Sequence, residues 1–194
     1  LRQKLRICIP MFDFASSQSN CEEKDMKNKI LCELVQLFEN STEARKLDPE
    51  MQTEIFRMLE KNIFSQVPVF PNSLLSNGYL TIVVDSAWPH LFYCFQIFNR
   101  FIQLFPKSQH INIDTARKVI KLMSIPDNNE RLQLLAFIRS YYDINDGDRI
   151  NIHKMVVNEI NDYLQNLIPP YCIQPLLVFS SHIFKITGRI ISPE

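Results

Sequence analysis

Side chains that could carry out a reaction are few in this chain of 194 residues, and they are widely scattered. No two of the four histidines have the spacing that puts two metal ligands on one face of a helix. The three glycines are isolated, so there is no glycine-rich phosphate loop, and the five cysteines form no Cys-x-x-Cys pair. The sequence therefore predicts a protein without a catalytic centre, a metal ion or a cofactor.

Three aspartates around Gly147 are similar to a calcium-binding loop. They are Asp143, Asp146 and Asp148. An EF-hand needs a bidentate glutamate six residues after its glycine, and His153 stands at that position here. No second loop of this kind follows, so we predict that the aspartates do not form a calcium site.

One group of basic side chains lies around a predicted turn at residues 141–147. Arg139 precedes the turn, and Arg149, His153 and Lys154 follow it. In a stack of helical repeats, equivalent helices line one concave face. The spacing therefore predicts a basic rim on that face.

Apolar side chains on a later helix are expected beside this rim. Phe179 and Ile183 lie four residues apart, which puts them on one face of a helix. A basic rim beside an aromatic and aliphatic groove suits a short peptide with apolar anchors and an acidic residue. The same residues also fit a solvated helix face over an ordinary core, and periodicity alone does not separate the two interpretations.

The elements that must position these residues are amphipathic helices. Residues 22–39 carry Met26, Ile30, Leu34 and Phe38 at every fourth position, and residues 49–63 repeat the pattern. Residues 1–14 fit either a strand or a helix, and residues 40–48 form a polar connection. Further helices are predicted over residues 88–104, from a cap at Asp114 to a stop before Pro126, and from a capping-box-like start at Asp127 through Tyr142. Two more are predicted from Asp148 or Arg149 to residue 167, and around Pro175 to a C-terminal stop at Gly188.

Residues 85–101 form the stretch around which the chain is organised. Asp85 or Ser86 can cap a helix in which Pro89 falls in the first turn. From Leu91 onwards almost every position is apolar, which predicts a central helix buried between neighbours on two sides. Trp88, the only tryptophan, is expected in the core.

The helix pattern predicts an all-α fold, a HEAT-like helical-repeat solenoid (an α-α superhelix) in a single domain over residues 1–194. The spacing between successive helix pairs is close to the roughly 40–47 residues of HEAT repeats. Residues 65–84, with Pro68, Pro71 and an Asn77-Gly78 turn, are a long internal loop. Because the chain lacks an initial Met and stops just after a predicted helix end, we expect it to be part of a longer solenoid.

The charge balance and the cysteines indicate which classes of partner and which cellular compartment to expect. Lys and Arg total 21, as do Asp and Glu, so no net charge directs the protein to nucleic acid or to an anionic membrane. No apolar run approaches the roughly 20 residues of a membrane span, and no signal peptide opens the sequence. The odd number of scattered cysteines favours a reducing compartment, the cytoplasm, with the nucleus as a second possibility.

Residues 87–91, Ala-Trp-Pro-His-Leu, resemble the most recognisable run of a known family, the B-prime (56 kDa) regulatory subunits of protein phosphatase 2A. Phe98, Arg100 and Phe101 continue the resemblance. It extends in order and with similar spacing over essentially the whole chain, and it covers about the N-terminal half of that family's domain. Its further segments are Gln3-Lys4-Leu5-Arg6 with Cys8, Phe12-Asp13-Phe14, Asn62-Ile63-Phe64 with Pro68, Glu130-Arg131, and Ile173 with Leu176 and Leu177.

The resemblance implies a non-catalytic subunit that binds the scaffold and catalytic subunits of the phosphatase and selects its substrates. It also implies a groove between the third and fourth repeats for Leu-x-x-Ile-x-Glu peptides. The tyrosine and one arginine of that groove match Tyr142 and Arg149, and its two apolar anchor positions match Phe179 and Ile183. With Arg139 and His153 of the basic rim, these are the six predicted peptide-binding residues.

The chain departs from the family pattern within this groove. The family has His-Arg just before the tyrosine, where this chain has Arg139-Ser140. The first apolar position is Ile in the family and Phe179 here, and the nearly uncharged residues 65–84 replace an acidic loop. These differences predict an altered motif specificity, or a protein that keeps only the scaffold contact. An unrelated HEAT- or armadillo-like adaptor is the alternative interpretation.

Overall fold

The computed structural model describes residues 1–14, 16, 19–64 and 85–191, the last three of them by their backbone alone. The regular structure of these residues is helical, so the predicted all-α, HEAT-like helical-repeat fold class is confirmed. The predicted long loop, residues 65–84, lies outside the described residues. The helices are α1 (Arg2–Cys8), α2 (Cys21–Glu39), α3 (Ser41–Ala44), α4 (Pro49–Ile63), α5 (Trp88–Leu104), α6 (Ile113–Leu122), α7 (Asn128–Ile144), α8 (Arg149–Leu164) and α9 (Ile173–Ile191).

The chain divides into two compact units, and α1 to α5 belong to the first. Helix α5 packs against both α2 and α4, as its nearly continuous apolar sequence predicts. The ring of Phe101 lies 5.7 Å from that of Phe56 and 6.3 Å from that of Phe38, measured between centroids. Because each fully buried phenylalanine contributes about 1.5–3 kcal/mol, this aromatic cluster is a main source of stability for the first unit.

A buried lysine joins the start of the chain to two helices of the first unit. The ammonium of Lys27, on α2, donates to the Pro10 carbonyl (2.8 Å) and to Asn62 Oδ1 on α4 (2.6 Å). The Asn62 amide in turn donates to the Cys8 carbonyl (2.9 Å) and to the Met58 carbonyl (2.8 Å). Burial lowers the pKa of Lys27, because the charged form loses hydration, and these oxygen acceptors replace part of that hydration.

The start of α5 differs from the sequence prediction. Trp88 is the first residue of the helix and only half-buried, with its ring against Phe92 (5.7 Å) and Phe95 (6.3 Å). The expectation of a core tryptophan is therefore wrong, since the first turn of α5 lies at the edge of the unit's apolar interior. Asp85 accepts a hydrogen bond from the N–H of Ala87 (2.7 Å), just before the helix, so it does not cap the first turn.

Helix α6 and helices α7 to α9 make up the second unit. Helix α6 packs against α7 and α8, and α9 packs against the same two helices. Asp127 caps α7 as predicted, because its carboxylate accepts from the N–H of Asn129 (2.7 Å). Arg131 then fixes the entry of the chain into α7 by donating to the carbonyls of Ile125 (2.6 Å) and Pro126 (2.7 Å).

Three helix boundaries differ from those predicted. Asp114 lies inside α6, where it pairs with Arg117 instead of capping the helix. Helix α8 ends at Leu164, before residue 167, because Asn166 turns the chain with a left-handed φ of 57°. Gly188 does not stop α9, which continues to Ile191, so the predicted C-terminal stop is wrong.

The N-terminal segment is helical, which selects one of the two structures that its sequence allows. A single turn of helix, α3, also interrupts the connection expected over residues 40–48. Among the described residues, no helix combines the length and the apolar character that crossing a membrane requires.

Candidate functional site

A short connection brings the predicted basic rim together in the second unit. The 3-10 turn Asp146–Asp148 joins α7 to α8. The N–H and the side-chain amide of Asn145 both donate to the Tyr141 carbonyl (3.0 and 3.1 Å), which closes the last turn of α7. The Tyr141 hydroxyl donates to the Asp148 carboxylate. These bonds fix the first turn of α8, and therefore Arg149, beside the end of α7.

Tyr142 is the centre of the site. Its side chain is completely buried, and its hydroxyl lies 2.8 Å from His153 Nε2. The guanidinium carbon of Arg149 is 5.0 Å from the centre of its ring. The ring of Phe179, on α9, meets it edge-to-face at 5.7 Å. Tyr142 and three more of the six predicted residues, from three helices in all, thus meet at this site.

Arg149 holds the rim to this aromatic centre by two further contacts. Its Nε donates to the Tyr142 carbonyl (3.3 Å), and its Nη2 pairs with Asp146 Oδ1 at 2.5 Å. The Arg149 side chain is 21% exposed, whereas that of Asp146 is 77% exposed. The guanidinium is therefore shared between a buried ring and an acidic group at the surface.

The chemistry of Tyr142 is that of a neutral phenol. Burial raises its pKa, and the nearby carboxylates of Asp143 and Asp146 add to that rise, while Arg149 acts against it. Its hydroxyl donates to His153 when Nε2 carries no hydrogen and accepts when it does, so the direction depends on the imidazole tautomer. The pair can orient a ligand, but the tyrosine is a poor proton acceptor.

The two apolar positions on α9 are covered. Phe179 is completely buried and Ile183 is 8% exposed, so both side chains fill the interior of the unit. A peptide would reach the ring of Phe179 only after the side chains above it had moved. Arg139 lies three residues before Tyr142 on α7, with its Nε buried and without a hydrogen-bond partner among the described residues.

His182 is a member of the site that the sequence prediction missed. Its ring stacks on Phe179 (6.4 Å) and meets Tyr142 edge-on (6.3 Å). Its Nε2 lies 2.8 Å from Asp143 Oδ1. The signal was its position three residues after Phe179, which puts both side chains on one side of α9.

The three aspartates around Gly147 have separate partners. Asp143 pairs with His182, Asp146 with Arg149, and Asp148 accepts from the Tyr141 hydroxyl. Side chains that point to different partners do not converge on one cation. No cluster of three or more His, Cys, Asp or Glu side chains that could hold a metal ion occurs in the part of the chain that the structure describes.

The cysteines offer no reactive thiolate at the buried positions. Burial raises the pKa of Cys8 and Cys172 to about 11 and that of Cys94 to about 12. A thiol with such a pKa is almost fully protonated at neutral pH, so it is a weak nucleophile and metal ligand. These three cysteines are small apolar side chains of the core.

The fold and the site define a class of protein, a helical-repeat protein whose polar cluster is suited to binding. Within that class, the chain belongs to the family described as protein phosphatase 2A regulatory B subunit (B56 family), which residues 1–190 match. This match confirms the resemblance seen around Trp88 and removes the alternative of an unrelated adaptor.

Individual relatives are also named as regulatory subunits of protein phosphatase 2A. The chain is 27% identical over 161 residues to the mouse serine/threonine-protein phosphatase 2A 56 kDa regulatory subunit alpha isoform, covering 80% of this chain and 33% of the relative. It is 33% identical over 105 residues to the B' eta isoform of the 59 kDa regulatory subunit from Arabidopsis thaliana, covering 52% of this chain and 20% of the relative. The human beta isoform is 28% identical over 159 residues, with 79% and 32% covered. The chain thus spans a third or less of the length of these relatives.

Proposed function

We propose that this chain acts as a non-catalytic regulatory and targeting subunit of a protein phosphatase 2A complex. The family match over residues 1–190 is the observation that carries the proposal. A helical-repeat protein can present several surfaces along its repeats, so one part can bind a phosphatase while another binds a substrate.

Association with the phosphatase is tested by co-purification. We expect the tagged chain to retain the scaffold and catalytic subunits of phosphatase 2A from a cell extract, and to bind the purified scaffold directly. A chain that retains neither would contradict the proposal. The purified chain by itself should not hydrolyse p-nitrophenyl phosphate, and a turnover that stays with the chain through further purification would contradict its non-catalytic role.

We propose further that the Tyr142 cluster binds short peptides of the Leu-x-x-Ile-x-Glu type. The support is the arrangement of Arg149 and His153 beside a buried aromatic pair, with Arg139 on the same helix as Tyr142. In this proposal Arg149 receives the glutamate, and the peptide's apolar side chains approach Phe179 and Ile183 when His182 moves aside.

Arg149→Ala is the variant that tests the peptide site. We expect it to weaken binding of a fluorescent Leu-x-x-Ile-x-Glu peptide by about 1.5–3 kcal/mol, because a hydrogen bond to a charged group is lost. Fluorescence anisotropy measures the change, with a Glu→Ala peptide as the ligand control. Arg117→Ala, which removes an exposed arginine on α6, is the protein control and should leave the affinity unchanged. Equal affinity of the Arg149 variant and the unmodified chain would place the site elsewhere.

The compartment is also a proposal. We infer the cytoplasm, and the nucleus as a second location, because the cysteines of the chain are free thiols and three of them are fully buried. Imaging of a fluorescent fusion tests this, and retention in the secretory pathway would contradict it.

A further inference from the structure

Arg149 and His182, two polar side chains of the Tyr142 cluster, are already paired with acidic side chains of the same chain. Asp146 Oδ1 lies 2.5 Å from Arg149 Nη2, and Asp143 Oδ1 lies 2.8 Å from His182 Nε2. Both aspartates are at the surface, with 77% and 48% of their side chains exposed. The carboxylates therefore approach the site from the solvent side, as the carboxylate of a ligand would.

Arg149 has limited capacity for a second carboxylate. Its Nε donates to the Tyr142 carbonyl and its Nη2 to Asp146, so two of its three nitrogens are engaged. A carboxylate binds an arginine most strongly through two parallel hydrogen bonds from neighbouring nitrogens. A glutamate that binds through Nε and Nη2 must displace Asp146 and the Tyr142 carbonyl. One that binds through Nη1 and the second N–H of Nη2 lies next to the Asp146 carboxylate and is repelled by its charge. In both arrangements Asp146 opposes the incoming carboxylate.

His182 covers the apolar part of the same cluster. Its ring stacks on Phe179 and meets the edge of Tyr142, which together have no exposed surface. The hydrogen bond to Asp143 holds the imidazole in this position. An apolar anchor of a peptide would have to displace the ring and break that bond.

We propose that the peptide site is closed by its own aspartates: Asp146 competes with the acidic residue of a ligand for Arg149, and Asp143 holds His182 over the apolar rings. This inference rests on the proposed peptide site and adds its regulation. The site then selects peptides whose acidic residue outcompetes a tethered carboxylate, and weakly acidic ligands bind poorly.

Asp146→Asn tests the first half of the proposal, because it removes the competing charge with little change of shape. We expect about two- to fivefold tighter binding of the fluorescent Leu-x-x-Ile-x-Glu peptide, which is the scale of an exposed ion pair. The gain should be absent for the matching Gln peptide and should shrink at high salt, where exposed charges are screened. Asp143→Ala tests the second half, and we expect it to tighten binding of both the Glu and the Gln peptide, because it removes the acceptor that holds the His182 ring over the apolar side chains.

Asp162→Asn is the matched control. It makes the same change of net charge on α8, thirteen residues after Arg149 and so about 20 Å along the helix axis. We expect it to leave both affinities unchanged. Circular dichroism and thermal melting of every variant check that the fold is retained, which the exposure of the aspartates favours.

The outcomes separate this inference from the proposed function. Equal peptide affinity in the unmodified chain and in the Asp146 and Asp143 variants overturns the inference. It leaves the peptide site in place. Binding that appears only in the variants supports the inference. Absence of binding in the unmodified chain and in both variants overturns the inference together with the peptide site. Co-purification with the phosphatase scaffold then still tests the regulatory role by itself.

Discussion

At the scale of single residues, burial of Cys172 links stability to pH. The thiol is almost completely buried just before α9, where its Sγ donates to the Pro169 carbonyl at 3.6 Å. Loss of hydration raises its pKa from 9.0 to about 11, and the carboxylate of Glu159 adds to the rise. The folded chain therefore keeps this proton over a pH range in which the unfolded chain releases it.

The sign of the effect follows from proton linkage. The contribution of Cys172 is complete below pH 9 and is lost as the pH rises to about 11, so the free energy of unfolding should fall in this range. A rise in pKa of this size corresponds to about 2–3 kcal/mol. The free energy of unfolding is measured in urea under reducing conditions at pH 9 and at pH 11. Between these values it should fall more for the unmodified chain than for Cys172→Ala, by about this amount. Cys21→Ala, at an exposed position, is the control, and parallel curves for all three proteins would contradict the assignment.

The six residues predicted to bind a peptide show what a sequence can predict at this scale. Residues on both sides of a short turn must be neighbours, so the proximity of Tyr142, Arg149 and His153 could be inferred from their spacing. The pairing of Asp146 with Arg149 could not, because it depends on side-chain rotamers that spacing leaves free. The complete burial of Phe179 also needed the structure, since helical periodicity gives the direction of a side chain but not what lies above it.

At the scale of elements, a side-chain cap marks the residue at which α4 begins. Asp48 is exposed, and its carboxylate accepts from the N–H of Met51 at 2.7 Å, with Pro49 in the first turn of α4. We expect Asp48→Ala to lower the free energy of unfolding by about 1 kcal/mol, because a donor of the first turn loses its partner. Urea titration followed by circular dichroism measures the loss.

Asp48→Ser separates the cap from the charge. A serine hydroxyl can accept the same hydrogen bond, so this variant should retain most of the stability that Asp48→Ala loses. If both variants lose the same amount, the carboxylate stabilises α4 through its charge near the helix N-terminus and not through the hydrogen bond.

Helix positions followed from the sequence where periodicity and caps agreed. Residues 49–63 and 88–104 are helical over the range predicted, since Asp48 and Pro49 mark one start and Pro89 the other. The predicted helix boundaries were wrong where two local signals competed. Gly188 is compatible with a helix interior at a modest cost, so α9 passes through it, and Asp114 found a partner one turn later instead of capping α6.

At the scale of the whole molecule, the last two described helices expose apolar side chains at a spacing of seven residues. Ile150, Val157 and Leu164 follow one side of α8, with 68%, 55% and 68% of each residue exposed. Leu177 and Phe184 on α9 are 58% and 73% exposed. Residues seven apart lie on the same face of a helix, so each helix carries an uncovered apolar stripe.

Such stripes favour association of the purified chain with itself, because apolar surface is removed from water when two copies meet. The net charge of zero adds no electrostatic repulsion between copies. We expect light scattering to show a molecular mass that rises with protein concentration, and Phe184→Ser to reduce that rise. Since Phe184 is mostly solvent-exposed, the substitution should change the free energy of unfolding by no more than about 0.5 kcal/mol.

Thr187→Ala is a useful comparison for Phe184→Ser, because Thr187 lies on the same helix and its hydroxyl donates within it, to the carbonyls of Ile183 (3.0 Å) and Phe184 (3.4 Å). This variant should associate like the unmodified chain. If Phe184→Ser also leaves the concentration dependence unchanged, the stripe on α9 does not drive association, and the stripe on α8 becomes the surface to change, through Val157→Ser. A mass that stays monomeric at every concentration would show that exposed apolar area at these two helices is too small to hold two copies together.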